Sequence, residues 1–77
     1  MYRIRFEGPA ALAVHVATEV ADADGVELIS SKPVSILDDK TVRLDVAVEG
    51  ERDDVTHAVA AIRGGMPKGA SIEIVHD

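Results

Sequence analysis

The sequence predicts a single α+β domain in which two amphipathic helices cover one face of a small sheet. Three observations carry this prediction: apolar residues alternate in several segments, they recur at helical spacing in two others, and the chain has 77 residues. A chain this short buries only about 60 to 65% of its unfolded surface, which gives it room for one small core. Residues 1–77 are therefore assigned to one domain.

The spacing of apolar residues changes from every second residue to every third or fourth, which predicts a first strand followed by a first helix. Tyr2, Ile4 and Phe6 alternate with charged residues, which is typical of a strand with one apolar face. Gly8-Pro9 ends this pattern. Proline is favourable at the first position of a helix, because a backbone N–H there would have no acceptor within the helix and its absence costs nothing. The helix is predicted to run to about Ala23, with an apolar stripe made by Leu12, Ala13, Val16, Ala17 and Val20.

The second half of the chain repeats this alternation of element types. An extended segment from Val26 is predicted to lie at a sheet edge, because Pro33 within it cannot donate to a neighbouring strand. A polar turn at 38–40 leads to the strongest strand pattern, in which valine and leucine alternate with polar residues over 42–49. Carboxylates at 51–54 favour the start of a second helix, which ends at Gly64-Gly65, and a last short strand covers 71–75.

The order strand, helix, strand, strand, helix, strand is that of the ferredoxin-like fold, an antiparallel four-stranded sheet with both helices on one face. We expect the strand order 4-1-3-2, which places strand one between strands three and four. Arg3 and Arg5 would then lie near Arg43, Asp45 and Glu73 on the face away from the helices. Surface ion pairs worth about 0.2 to 1 kcal/mol each are one interpretation. An anion site or a subunit interface is the other.

Composition and charge argue against several classes of partner. Eight basic and fourteen acidic side chains give a formal net charge of -6, which disfavours nucleic acid and anionic lipid. The only aromatic residues, Tyr2 and Phe6, share the inward register, whereas an RNA-recognition module needs outward aromatic side chains. No apolar run approaches the roughly 18 residues of a membrane span. We expect no nucleic-acid or membrane partner, and a cytoplasmic location.

The residues suited to catalysis or metal binding are scattered. The chain has no cysteine, and its histidines, His15, His57 and His76, lie far apart in the sequence. Metal ligation and general-base catalysis both need converging groups. Asp22-Ala23-Asp24-Gly25 is similar to the opening of a calcium loop, but the residues that follow enter a strand where further oxygen ligands are needed. We expect no enzymatic activity, no catalytic residue, no metal site and no cofactor.

One segment carries a more specific signal. It reads Phe6-Glu7-Gly8-Pro9-Ala10-Ala11-Leu12-Ala13, continues through the helix to Gly25-Val26-Glu27-Leu28, and resembles the ACT domain family. In that family a first strand leads through an Asp-x-Pro-Gly-type loop into a helix with a small-Leu-Ala signature, and amino acids or related small ligands bind at the loop and the dimer interface. The resemblance covers the topology of the whole chain and the motif of about residues 6–28. Here Gly8 precedes Pro9, whereas the family usually has glycine after proline, and Glu7 stands where aspartate is common.

The resemblance implies a ligand-binding segment made of Glu7, Gly8, Pro9, Ala10 and Ala11. Backbone N–H groups of Ala10 and Ala11 at a helix start could receive a carboxylate, and Gly8 would let a ligand approach the backbone. The alternative interpretation is an ordinary tight connection.

We therefore expect a stand-alone, non-enzymatic ACT-like regulatory module that forms a homodimer. It would bind a small metabolite such as an amino acid, or tune a protein partner. The alternative is a structural or adaptor protein that binds a partner polypeptide through a sheet edge. The predicted edge strands favour pairing between chains in either case, because they leave backbone groups unpaired.

Overall fold

The described part of the chain forms five antiparallel strands and two helices. A computed structural model describes residues 1–32 and 34–75. Its elements are, in chain order, β1 (Tyr2–Pro9), α1 (Ala10–Asp22), β2 (Val26–Ser31), β3 (Ser35–Ile36), β4 (Thr41–Gly50), α2 (Arg52–Gly64) and β5 (Ser71–Val75). The sheet runs in the order β2-β4-β1-β5, and β3 also pairs with β4. The predicted α+β class is confirmed. Within these residues, neither helix has the length and apolar character needed to cross a membrane.

The predicted order of four strands, 4-1-3-2, is wrong as stated because the sheet has five strands. The segment predicted as strand two forms two strands, since β2 ends at Ser31, β3 begins at Ser35, and both pair with β4. A proline, which has no N–H to donate, stands between them in the sequence. Pro33 itself, on which the edge-strand prediction rested, lies outside the described residues. In the described chain β4 is the one strand neighbour of β2, and β1 lies between β4 and β5.

The first strand continues past its predicted end at Glu7. Gly8 pairs with Val42 and Pro9 with Thr41, so the ladder between β1 and β4 closes only where α1 begins. Gly8 is buried, and a Cβ atom built on it would lie 2.8 Å from Cζ of Phe6 and 2.9 Å from Cβ of Ala70. The glycine therefore makes room for the phenylalanine ring and for the connector before β5.

One face of the sheet and both helices bury a single core. Phe6 is only 1% exposed, as predicted, and Tyr2 packs half-buried at the margin of the core. Burying one large apolar side chain contributes about 1.5 to 3 kcal/mol, so this face fixes the register of the strands. The buried residues are Ile4, Phe6, Ala13, Val16, Val20, Val26, Val42, Leu44, Val46, Val48, Val55, Ala58, Val59 and Ile72.

The two helices differ in how their ends are stabilised. The first turn of α2 contains Asp53 and Asp54, and its last turn contains Arg63, which suits both ends of the helix dipole. Arg63 also donates from Nη2 to the carbonyl oxygen of Ile72 at 2.8 Å, which ties the end of α2 to β5. The first turn of α1 has no acidic residue, and no side chain caps its start.

The polar turn before β4 is organised by one carboxylate. Oδ1 of Asp38 accepts hydrogen bonds from the backbone N–H groups of Lys40 and Thr41, both at 2.8 Å. The hydrogen bond from Lys40, with support from Thr41, holds the pKa of Asp38 below its ordinary value. The predicted turn at 38–40 is confirmed.

Replacing Gly8 with alanine should destabilise the protein by about 1 to 3 kcal/mol, because the new methyl group would overlap Phe6 and Ala70. The matched control is Gly64→Ala in α2, where an added Cβ meets no atom within 4 Å. Alanine is favoured over glycine in a helix by about 0.5 to 1 kcal/mol, so this control should be neutral or stabilising. Urea denaturation of the three proteins measures both changes. Equal stability of Gly8→Ala and the unmodified chain would contradict the packing described for Gly8.

Candidate functional site

The predicted ligand-binding segment joins β1 to α1. Glu7, Gly8 and Pro9 are the last residues of β1, and Ala10 and Ala11 are the first of α1. Pro9, Ala10 and Ala11 are exposed, whereas Gly8 is buried. Because no side chain caps the helix start, the N–H groups of the first turn lie at the positive end of the helix dipole without a capping acceptor.

The side chain of Glu7 lies on the opposite face of the sheet from α1. Its Oε2 accepts a hydrogen bond from Nε of Arg43 at 2.7 Å. The predicted residues therefore do not form one cluster: the Glu7 carboxylate is held by Arg43, while the Ala10 and Ala11 amides belong to the helix layer. Gly8 faces the interior against Phe6 and Ala70, so its lack of a side chain has a packing explanation.

The face away from the helices carries cross-strand ion pairs, as the predicted register requires. Nε of Arg5 donates to Oδ1 of Asp45 at 2.9 Å, and Glu73 lies opposite Arg5 on β5. The hydrogen bond to Asp45, reinforced by its charge, raises the pKa of the Arg5 guanidinium. Arg3 lies directly opposite Ala47 and Val75, and the residues directly opposite Arg5 are the acidic ones. Because Arg5 and Arg43 both hold carboxylates of the same chain, this face favours ion pairing over an anion site.

A groove runs between the two helices. Its larger part has a volume of about 280 Å³ and is lined by Glu19, Asp22, Ala23, Asp24, Asp54, His57, Ala58, Ala61 and Ile62. A second part of about 170 Å³ is lined by Leu12, His15, Val16, Glu19, Ala61, Ile62, Gly65 and Met66. Glu19, Ala61 and Ile62 border both parts, so we treat them as one interhelical groove.

The sequence did not predict this groove. The sequence places Asp22 and Asp24 about the end of the first predicted helix and Asp54 at the start of the second, and no local pattern brings them together. The signal that could have located the groove is topological, because it requires knowing that the end of α1 packs beside the start of α2. His15 and His57 border different parts of the groove, and His76 lies outside the described residues.

In the described ranges, 1–32 and 34–75, no three histidine, aspartate or glutamate side chains are arranged to hold a metal ion. The similarity of residues 22–25 to a calcium loop is thus not extended by further ligands from neighbouring elements in that part of the chain.

Comparisons with known proteins do not assign a family. A scan of the sequence against protein-family models finds no match, and a search of curated proteins finds no match either. The likeness to ACT domains therefore stays a resemblance carried by the segment from Phe6 to Leu28.

A double-mutant cycle should detect the role of Glu7 in the sheet. Glu7→Gln and Arg43→Gln should couple by about 0.2 to 1 kcal/mol, because these side chains form a partly exposed ion pair. The coupling should shrink at high salt, which screens exposed charges. Glu51→Gln combined with Arg43→Gln is the control, and no coupling is expected for it because Glu51 precedes α2, away from this pair. Unfolding free energies in urea give both values, and a Glu7–Arg43 coupling no larger than the control would refute the assignment.

Proposed function

We propose that this chain is a non-enzymatic, ACT-like regulatory module that works as an oligomer joined through its sheet. The observation that carries the proposal is the open edge of β2 together with the exposed apolar side chains that follow along this edge. Ile29 is 49% exposed and Ile36 is 80% exposed. A free strand edge with exposed apolar residues favours pairing with another chain. A cytoplasmic location stays a prediction from the sequence.

A ferredoxin-like arrangement is part of this proposal. Counting β2 and β3 as one interrupted strand supports it, since both pair with β4 and the sheet then has four members. Burial of one sheet face under both helices supports it as well, because α1 and α2 contribute to the same core. In this arrangement β2 and β3 form one edge of the sheet and β5 forms the other. The proposal places the partner on the β2 and β3 edge because exposed apolar side chains lie along it.

The proposed ligand is an amino acid or another small carboxylate, bound at the start of α1. Support comes from the exposure of Pro9, Ala10 and Ala11 and from the absence of a capping side chain at this helix start. A carboxylate there would accept hydrogen bonds from first-turn N–H groups and would be favoured by the helix dipole. In this proposal Glu7 and Gly8 support the strand that presents the site, through Arg43 and Phe6, and do not contact the ligand.

Titration with individual amino acids should move the backbone amide signals of Ala10 and Ala11 in two-dimensional NMR spectra. The same ligand should raise the melting temperature, because it binds only the folded state. Ala11→Asp should abolish both effects while preserving the fold, since a carboxylate in the first turn repels an anion but suits the helix dipole. Ala60→Asp, the same change at an exposed position of α2, is the control and should still respond. If no amino acid moves these two amides in the folded protein, the metabolite part of the proposal fails.

An adaptor that binds a partner polypeptide by strand addition is the second candidate. It is favoured by the further exposed apolar side chains that follow β2 in the sequence, Val34, Ile36 and Leu37. The two candidates differ in what covers the edge. A second copy predicts association that grows with the concentration of the pure chain, whereas an adaptor would stay monomeric until its partner is added.

A further inference from the structure

The charges of β2 are arranged so that the strand complements itself. Glu27 lies near its start, and Lys32 follows its last residue. Side chains alternate between the faces of a strand, so two residues five positions apart normally point to opposite faces. A β-bulge changes this here, because Leu28 pairs with Val48 and Ser30 pairs with Ala47, leaving Ile29 as an extra residue. The bulge therefore brings Glu27 and Lys32 to the same face, the one away from the helices.

The open edge of β2 also presents a matching set of backbone groups. Lys32 donates its N–H to the carbonyl oxygen of Asp45 at 3.0 Å, so its backbone groups face β4. The backbone N–H and C=O groups of successive residues in β4 point alternately to its two neighbours, so Glu49, like Asp45, directs these groups toward β2. Glu27 pairs with Glu49, and its own backbone groups therefore face β4 as well. Leu28 and Ser31 therefore direct their N–H and C=O groups to the open edge.

We propose that two copies of this chain pair through antiparallel β2 strands, with Leu28 of each copy opposite Ser31 of the other. In this register the N–H and C=O groups of Leu28 and Ser31 in one copy can hydrogen-bond to those of Ser31 and Leu28 in the other. The bulge residue Ile29 of one strand then lies beside Ile29 of the other. The two-fold axis passes between Ile29 and Ser30. Glu27 of each copy then lies opposite Lys32 of the second copy. This inference rests on the proposed oligomeric module and deepens it by naming the partner, the strand and the register.

The electrostatics of the single chain support this pairing. Glu27 lies directly opposite Glu49, and like charges at such positions are unfavourable. The amino group of Met1, 3.8 Å from Glu49, offsets part of this repulsion. In the described part of the chain neither the Glu27 carboxylate nor the Lys32 ammonium has an ion-pair partner. A lysine from a second copy would supply the missing positive charge.

The apolar side chain nearest the two-fold axis supports it as well. Ile29 is 49% exposed in the single chain and borders the proposed axis. Pairing would bring the two copies of Ile29 close to each other and remove apolar surface from water. Charge complementarity thus sets the register, and apolar burial adds affinity.

Sedimentation velocity over a range of concentrations tests the register through charge variants. Glu27→Lys or Lys32→Glu alone puts like charges at both contact points, and each should raise the dimer dissociation constant by at least about tenfold. The double variant should return it to within about threefold of the unmodified chain, because the pairs are re-formed with exchanged signs. A one-to-one mixture of the two single variants should form heterodimers for the same reason. Asp39→Lys and Lys68→Glu make the same charge changes away from β2 and should leave association unchanged.

The outcomes separate this inference from the proposed function. If the unmodified chain dimerises and the single variants dimerise equally well, the register is overturned while the oligomeric module stands. If the single variants dissociate but neither the double variant nor the mixture recovers, the Glu27–Lys32 pairing is also overturned. If the unmodified chain is monomeric at every concentration, both the register and the oligomeric part of the proposed function are overturned. Circular dichroism confirms folding of each variant, which is expected because Glu27 and Lys32 are exposed.

Discussion

Burial of a single face of β1 and β4 is the constraint on which the rest of the structure depends. These two central strands pair without interruption from Tyr2 opposite Val48 to Pro9 opposite Thr41. The buried apolar side chains of both strands face the helices, so a slip by one residue would carry Arg5 and Asp45 into the core. Burying an unpaired charge is unfavourable by far more free energy than a surface ion pair contributes to stability. The observed register is therefore strongly favoured over one shifted by a single residue.

The same register decides what each candidate surface can do. It places Glu7 beside Arg43 and Arg5 beside Asp45, so the outer face of the sheet is occupied by ion pairs within one chain. It brings Gly8 under the ring of Phe6, which leaves the start of α1 as the exposed part of the predicted ligand segment. The proposed function uses two of the surfaces that this register leaves exposed in the described residues: the uncapped start of α1 and the edge of β2.

The sequence was informative where side-chain period alone determines structure. Alternation predicted β1 and β4, and four-residue spacing predicted the buried stripe of α1, because in both cases one face must leave water. It was less informative about where elements end, since Gly8 and Pro9 are turn residues in general but here continue the ladder opposite Val42 and Thr41. That outcome depends on Phe6 and Ala70, which come together only in the folded chain.

The bulge in β2 and the interhelical groove are two features that the sequence did not predict. The adjacent apolar residues Leu28 and Ile29 break the period of two, and this break was the available signal for the bulge, but it has the same appearance as a strand buried on both faces. The interhelical groove gathers Asp22, Asp24 and Asp54 from separate elements, and no local pattern encodes that convergence. The spacing of apolar residues predicts which face of a helix or strand is buried. It does not predict which helix ends pack together when they are far apart in the sequence.

Amide hydrogen exchange at low and high protein concentration tests most directly the claim that β1 and β4 form a closed interior while β2 offers its edge to a second copy. The account predicts that the amides of Ile4 and Val46 are protected at both concentrations, because the central strands are paired within one chain. It predicts that the amides of Leu28 and Ser31 become protected only at high concentration. Exchange at Leu28 and Ser31 that is fast and independent of concentration, or exchange at Ile4 and Val46 as fast as at the edge, would contradict it.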